Sequence, residues 1–239
     1  MINFRIIFSA ILCVMILIVT GCYPVEQPIF GGTVNDIDGN VYHTVTIGKQ
    51  TWMIENLKVT HFNDSTAITM VSDSAVWTST KSAAYCWYKN DSTSFKATFG
   101  ALYNWYAANT GKLAPKGWHI PTDDEWFTLE KNVSQLNYVS GSLAKILASK
   151  NYWISSQTST SIGNYPALNN SSGFTALPGG WRLNERTTFT KIDSIGAWWS
   201  SSAVSDTTAY NCSLANFLPT FEHAPCNFWA GLSIRCVKN

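Results

Sequence analysis

Charge is scarce in this chain. Asp, Glu, Lys and Arg make up 13% of its 239 residues, and the net charge is +1. No basic face is visible, so no nucleic acid partner is expected. Histidine is scarce as well, at four residues, and no C-x-x-C or clustered His/Cys set occurs. Structural zinc sites show such spacing, so no metal or other cofactor is expected. No Gly-x-Ser-x-Gly elbow raises a nucleophile, and no catalytic residue is assigned. No fixed-period repeat is evident, which excludes solenoids and propellers.

Aromatic residues are abundant. Eleven Trp, ten Tyr and twelve Phe amount to 14% of the chain. Such a sequence can fill a core and still have rings for a binding surface. Ser, Thr and Asn supply the polarity that charge does not.

The first 22 residues carry an address. Arg5 precedes an apolar run from Ile6 to Val19, which ends in Val19-Thr-Gly-Cys22. The run is short of the roughly 20 residues that span a bilayer. It reads as a secretory signal peptide, residues 1–21. Its last four residues resemble a bacterial lipobox. Cys22 is then the lipidated N-terminus, residues 22–30 are a tether, and the membrane is a partner through the acyl chains. Tyr23 gives no inner-membrane retention cue, which points to the outer membrane of a bacterial envelope.

Cysteine use fits export. With Cys13 in the signal and Cys22 lipidated, Cys86, Cys212, Cys226 and Cys236 remain. Four cysteines in an oxidising compartment suggest disulfides and allow three pairings. Free buried thiols are the alternative.

Along the chain, residues 33–54 read as strands joined by Asp-Gly and Gly-Lys turns. Asp36, Asp38 and Asn40 have calcium-loop spacing. However, Gly39 stands fourth and Ile47 twelfth, where an EF-hand needs Gly sixth and Glu twelfth, so a plain turn is expected. Residues 60–95 read as irregular. Phe99–Ala108 reads as a helix with Leu102, Trp105 and Tyr106 on one face. Thr122 and Glu125 match a capping box, starting a helix at Asp123 whose buried stripe is Trp126, Leu129, Val133 and Leu136. Leu143–Ser149 reads as a short helix and 151–173 as a loop. Short strands are expected within 173–182, 197–201 and 232–237. Strands at both ends and helices between argue for α+β, one domain over 31–239, with its N- and C-terminal strands in one sheet and two or three helices mid-chain.

These segments together resemble the Fibrobacter succinogenes major paralogous domain. The matching pieces are Asp38-Gly-Asn-Val-Tyr42, Ile47 to Met53, Glu55-Asn-Leu57, Tyr85-Cys-Trp-Tyr88, Gly100 to Tyr106 and Pro115 to Thr122. Gly173 to Arg182, Trp198-Trp-Ser-Ser201 and Ser233-Ile-Arg-Cys-Val237 continue the series. The family is similar to C-type-lectin-like domains and to the formylglycine-generating sulfatase-modifying fold. Ile120-Pro-Thr-Asp-Asp-Glu-Trp126 resembles a Leu-Pro-Thr-x-x-Glu-Trp motif of the latter. The resemblance implies a single C-type-lectin-like domain, and it implies pairing of Cys86 with Cys236 and of Cys212 with Cys226. The lectin calcium motifs Glu-Pro-Asn, Gln-Pro-Asp and Trp-Asn-Asp are missing, and Cys226 and Cys236 do not match the close cysteine pair of the enzymes.

The expected function is therefore a lipid-anchored extracytoplasmic binding or structural module contacting glycan or protein. Trp77, Trp153 and Trp229 are its candidates for stacking on sugars, against core packing for each. The rival is an enzyme on the sulfatase-modifying fold, with His119, Cys226 and Cys236 as agents. Asp64-Ser-Thr66, Asp73-Ser-Ala75, Asp91-Ser-Thr93, Asp193-Ser-Ile195 and Asp206-Thr-Thr208 resemble a bacterial O-glycosylation acceptor pattern, against ordinary turn chemistry.

Overall fold

The computed structural model describes residues 28–136, 142–183 and 189–239. The signal peptide, Cys22 and most of the tether lie outside the described residues. In chain order, β1 (Ile29–Asn35), β2 (Val41–Ile47) and β3 (Gln50–Met53) form an antiparallel meander. Next come β4 (Thr69–Met70), α1 (Ser74–Ser79), β5 (Ala84–Cys86), α2 (Ser92–Phe99), β6 (Leu102–Tyr103) and α3 (Trp105–Ala108). They are followed by β7 (Trp118–His119), α4 (Asp123–Ser134) and α5 (Leu143–Leu147). The last part is β8 (Gly179–Arg182), β9 (Phe189–Ile192), β10 (Ile195–Ala203), β11 (Thr208–Ala215), β12 (Glu222–Asn227) and β13 (Val237–Lys238).

Three sheets result among the described residues, in the orders β1-β2-β3-β13-β7, β12-β11-β10-β8-β9 and β4-β5-β6. The fold is mixed α and β, with sheet dominant and five short helices rather than two or three. The first and last strands share one sheet, as expected. No helix of the described residues is long and apolar enough to cross a membrane.

Local chemistry explains most starts and turns. Asp36 closes the β1–β2 turn: its Oδ1 accepts from the Asp38 and Asn40 amides, and its Oδ2 accepts from Asn40 Nδ2 and, at 2.6 Å, from the Tyr42 hydroxyl. The calcium-like spacing is thus an Asx turn with its oxygens already occupied. Each helix begins with a polar cap: Asp73, Asp91, Asn104, Thr122 and Ser142 accept from α1 to α5 in turn. Helices this short depend on such caps and on packing. Asp73 and Asp91 lie in the Asp-Ser triplets, and Asp64 makes an Asx turn with the Thr66 amide.

Two readings of local structure are corrected. Residues 60–95 are not irregular, because the Asp73 and Asp91 caps start helices there. The single helix over Phe99–Ala108 is instead two helices separated by β6. Gly100 sits at φ 75°, and a Cβ there would meet the Leu57 carbonyl at 2.6 Å. The chain therefore leaves helix at Gly100, and Asn104 caps a new one. Strands β4, β5, β7, β9, β11 and β12 are additions to the expected strands.

The segment expected as a strand over 232–237 does something more useful. Gly231 bridges Arg182 of β8, Leu232 bridges Tyr103 of β6 and Ser233 bridges Trp198 of β10. Val237 then pairs with Trp52 and His119. One closing segment joins all three sheets. At its centre, Asn56 Oδ1 accepts from Trp198 Nε1 and Arg235 Nη2, each at 2.9 Å, and its Nδ2 donates to the Phe99 carbonyl at 3.0 Å. Arg235 is fully buried, donates to the Phe174 and Thr175 carbonyls, and lies over the Phe174 ring at 4.4 Å. Beside it, α4 buries Trp126, Leu129 and Val133 against Trp52, Phe174 and Trp198, with Leu136 completing the stripe.

Candidate functional site

Thr122 and Glu125 do what their spacing implies. The Thr122 hydroxyl accepts from the Glu125 amide at 3.2 Å, and Glu125 Oε2 accepts from the Thr122 amide at 2.8 Å. The capping box also holds a histidine. Glu125 Oε1 lies 2.8 Å from His119 Nε2, and Asn239 Oδ1 lies 2.7 Å from His119 Nδ1. His119 stands on the rim of an open cleft of about 270 Å3. Ala108, Leu113, Ala114 and Ile120 are its apolar lining, and Asn109, His119 and Ser201 its polar groups. Both His119 ring nitrogens are already engaged, so the ring is held rather than free to serve a nucleophile.

The tryptophans expected to stack on sugars are largely core. Trp77 is 1% exposed: its Nε1 donates to the Trp229 carbonyl at 2.6 Å, and the Arg182 guanidinium covers its face at 4.6 Å. Trp153 is buried too and donates to the Ala176 carbonyl. Neither ring face is open to a ligand, which corrects that expectation. Trp229 is half-buried.

The disulfides are corrected as well. Cys86, Cys212, Cys226 and Cys236 are all free thiols. The register of β11 and β12 sets Cys212 opposite His223 and Cys226 opposite Ala209. His223 and Cys226 are three positions apart, so side-chain alternation sends the two sulfurs to opposite faces of the sheet. Cys86 packs with Trp77, Tyr88 and Leu102, whereas Cys236 packs in another cluster with Tyr42, Met53 and Leu57. Burial pushes the Cys86 and Cys226 thiols up to about 11 and the Cys236 thiol higher still. Thiols raised this far carry little thiolate at neutral pH, which argues against Cys226 and Cys236 as enzymatic agents.

The segments quoted for the resemblance thus converge on one core. Asn56, Trp198, Phe174, Ser233 and Arg235 come from four different motifs and meet around the Asn56 amide. The model of the Fibrobacter succinogenes major domain matches residues 45–238, most of the chain. The chain belongs to that family. No curated protein and no solved structure matches it. In this chain the quoted motifs build the joint between the sheets.

A second cluster has no counterpart in the sequence reading. Helix α4 and strands β11 and β12 bring Asp123, Cys212 and His223 together, their donor atoms all within 4.8 Å of one another. Asp123 Oδ1 is 2.8 Å and Cys212 Sγ 3.5 Å from His223 Nδ1. On the other side of the ring, Glu130 Oε2 is 3.6 Å from Nε2. The Phe127 ring stacks on the imidazole at 4.0 Å, and Phe221 meets it edge-on. Burial, then the Asp123 and Glu130 charges, pushes the Cys212 thiol well above its ordinary range. Burial likewise pushes the Glu130 carboxyl up, with His223 opposing and Glu222 adding. In the sequence Asp123 marks only a helix start, and Cys212 is expected in a disulfide. The β11–β12 hairpin sets residues 212 and 223 opposite each other, and no local sequence pattern marks that register.

Proposed function

We propose that this chain is a non-catalytic, lipid-anchored binding module of the bacterial cell envelope, with a C-type-lectin-like architecture, and that the cleft beside His119 receives a glycan or protein side chain. The cleft carries the proposal. It combines an apolar floor with a few convergent polar groups, the usual make-up of a ligand site. None of the four thiols lines it, and its histidine is tied to Glu125 and Asn239. The Val19-Thr-Gly-Cys22 sequence supports anchoring through Cys22, outer-membrane placement following from the absent retention cue. Near-neutral charge argues against a polyanionic partner.

Two measurements test this reading. The Cys22→Ala variant is expected in the soluble or unprocessed fraction. A mature-sized variant that still partitions with membranes removes the lipid anchor. The full chain in detergent is then applied to a glycan array and to envelope protein extracts. Binding is expected, and Asn109→Arg, which fills the cleft, is expected to abolish it. Absence of any bound ligand, or binding indifferent to Asn109→Arg, overturns the role of the cleft.

A further inference from the structure

We propose that Asp123, Cys212 and His223 form a site for one zinc ion, with Glu130 as the outer partner of the histidine. The donor set is the first argument. A thiolate, an imidazole and a carboxylate are the three ligand types that zinc takes from proteins. They arrive from three separate elements, α4, β11 and β12, and converge on one point. Zn–S and Zn–N bonds of about 2.3 and 2.0 Å at a tetrahedral angle place S and N about 3.5 Å apart. Cys212 Sγ and His223 Nδ1 are 3.5 Å apart. Asp123 is closer to Nδ1, at 2.8 Å, and moves out by about 0.5 Å to reach a tetrahedral edge.

The second argument is the other face of the ring. A metal-bound imidazole almost always offers its remaining N–H to a carboxylate or carbonyl, which sets the tautomer and the ring orientation. Glu130 Oε2 stands at 3.6 Å on the Nε2 side. Phe127, stacked on the ring, and Phe221, against its edge, hold the plane. Charge is the third argument. Asp123 and Glu130 have no Lys or Arg within ion-pair distance among the described residues, and their partner is His223 in both cases. The Asp123 and His223 side chains are only 13% and 10% exposed. A divalent cation supplies the charge this pocket lacks. As the Zn–Sγ bond forms, the thiol proton leaves to solvent and no electron changes hands. Three protein ligands leave the fourth position to water.

The full chain, purified in detergent and stripped with EDTA, tests the proposal. Zinc titration followed by desalting and elemental analysis is expected to return one zinc per chain. Cobalt(II) is expected to give a thiolate-to-metal charge-transfer band that Cys212→Ser and His223→Gln abolish and Cys226→Ser retains. Failure to retain zinc, or a cobalt band that survives Cys212→Ser, overturns the site. If those variants do not fold, the wild-type melt decides: the melting temperature is expected to rise with zinc and not with magnesium, and an unchanged melt overturns the proposal. None of these outcomes depends on the cleft or on lipid anchoring.

Discussion

Two buried regions handle charge in opposite ways. Arg182 and Arg235 are 2% and 0% exposed and have no carboxylate within ion-pair distance among the described residues. Backbone carbonyls and aromatic faces take their charge instead: Val71 and Ser72 with Trp77 and Phe189 for Arg182, Phe174 and Thr175 with Trp198 for Arg235. Asp123 and Glu130 show the reverse, carboxylates with no fixed cation and one imidazole between them. A guanidinium is delocalised and weakly hydrated, so carbonyls and ring faces satisfy it. A carboxylate lacks such an alternative and needs donors or a cation. The first region therefore holds its charge without a carboxylate, with Arg235 Nε left without a hydrogen-bond partner, while the second has room for one more positive charge.

The largest expected effect tests the guanidinium region. Arg235→Leu leaves Asn56 Oδ1 and two carbonyls short of a donor at a fully buried joint, and should cost about 3–5 kcal/mol in denaturant unfolding. Arg235→Lys should not restore it, because an ammonium cannot span these acceptors and stack on Phe174. A loss within error for Arg235→Leu would mean the joint does not depend on this charge.

Alkali makes new buried anions and so extends the comparison. The folded Cys86 and Cys226 thiols are raised from 9.0 to about 11. Above about pH 9 the unfolded chain releases these protons and the folded chain keeps them, so stability falls as pH rises. It is fully present below the unfolded value, and each thiol removes about 1.4 kcal/mol per pH unit until its folded pKa is reached. Unfolding free energies measured between about pH 9 and 11 should show this slope, reduced by one thiol in Cys86→Ala. An identical slope in that variant would show that Cys86 does not contribute.

The smallest effects separate two neighbours at one helix end. Thr122→Ala removes the cap and should cost about 0.5–2 kcal/mol, with zinc uptake retained. Asp123→Asn in zinc-free protein loses the dipole interaction, about 0.3–1 kcal/mol, and the charge on its contact with His223, yet the decisive difference is that zinc uptake should disappear. Equal zinc uptake by the two variants would erase the difference between a cap and a ligand.

How much could be read beforehand follows the range of each interaction. The Thr122–Glu125 box, the Trp126–Leu136 stripe and the Asp36 turn were legible because their partners lie within a helical turn or a tight loop. The break at Gly100 was not, since it depends on the Leu57 carbonyl packed against it. Trp77 and Trp153 looked like surplus rings until Arg182, Trp229 and Ala176 were seen to enclose them.

By itself the sequence determined the family, the α and β composition, the shared terminal sheet, the Thr122 cap and the turns. All of these are encoded by neighbouring residues or by motifs in order. The tertiary structure alone decided which thiols stay apart and that Asp123, Cys212 and His223 meet. A one-residue change in strand register moves a side chain to the other face of a sheet, and registers are set by how three sheets and α4 pack together.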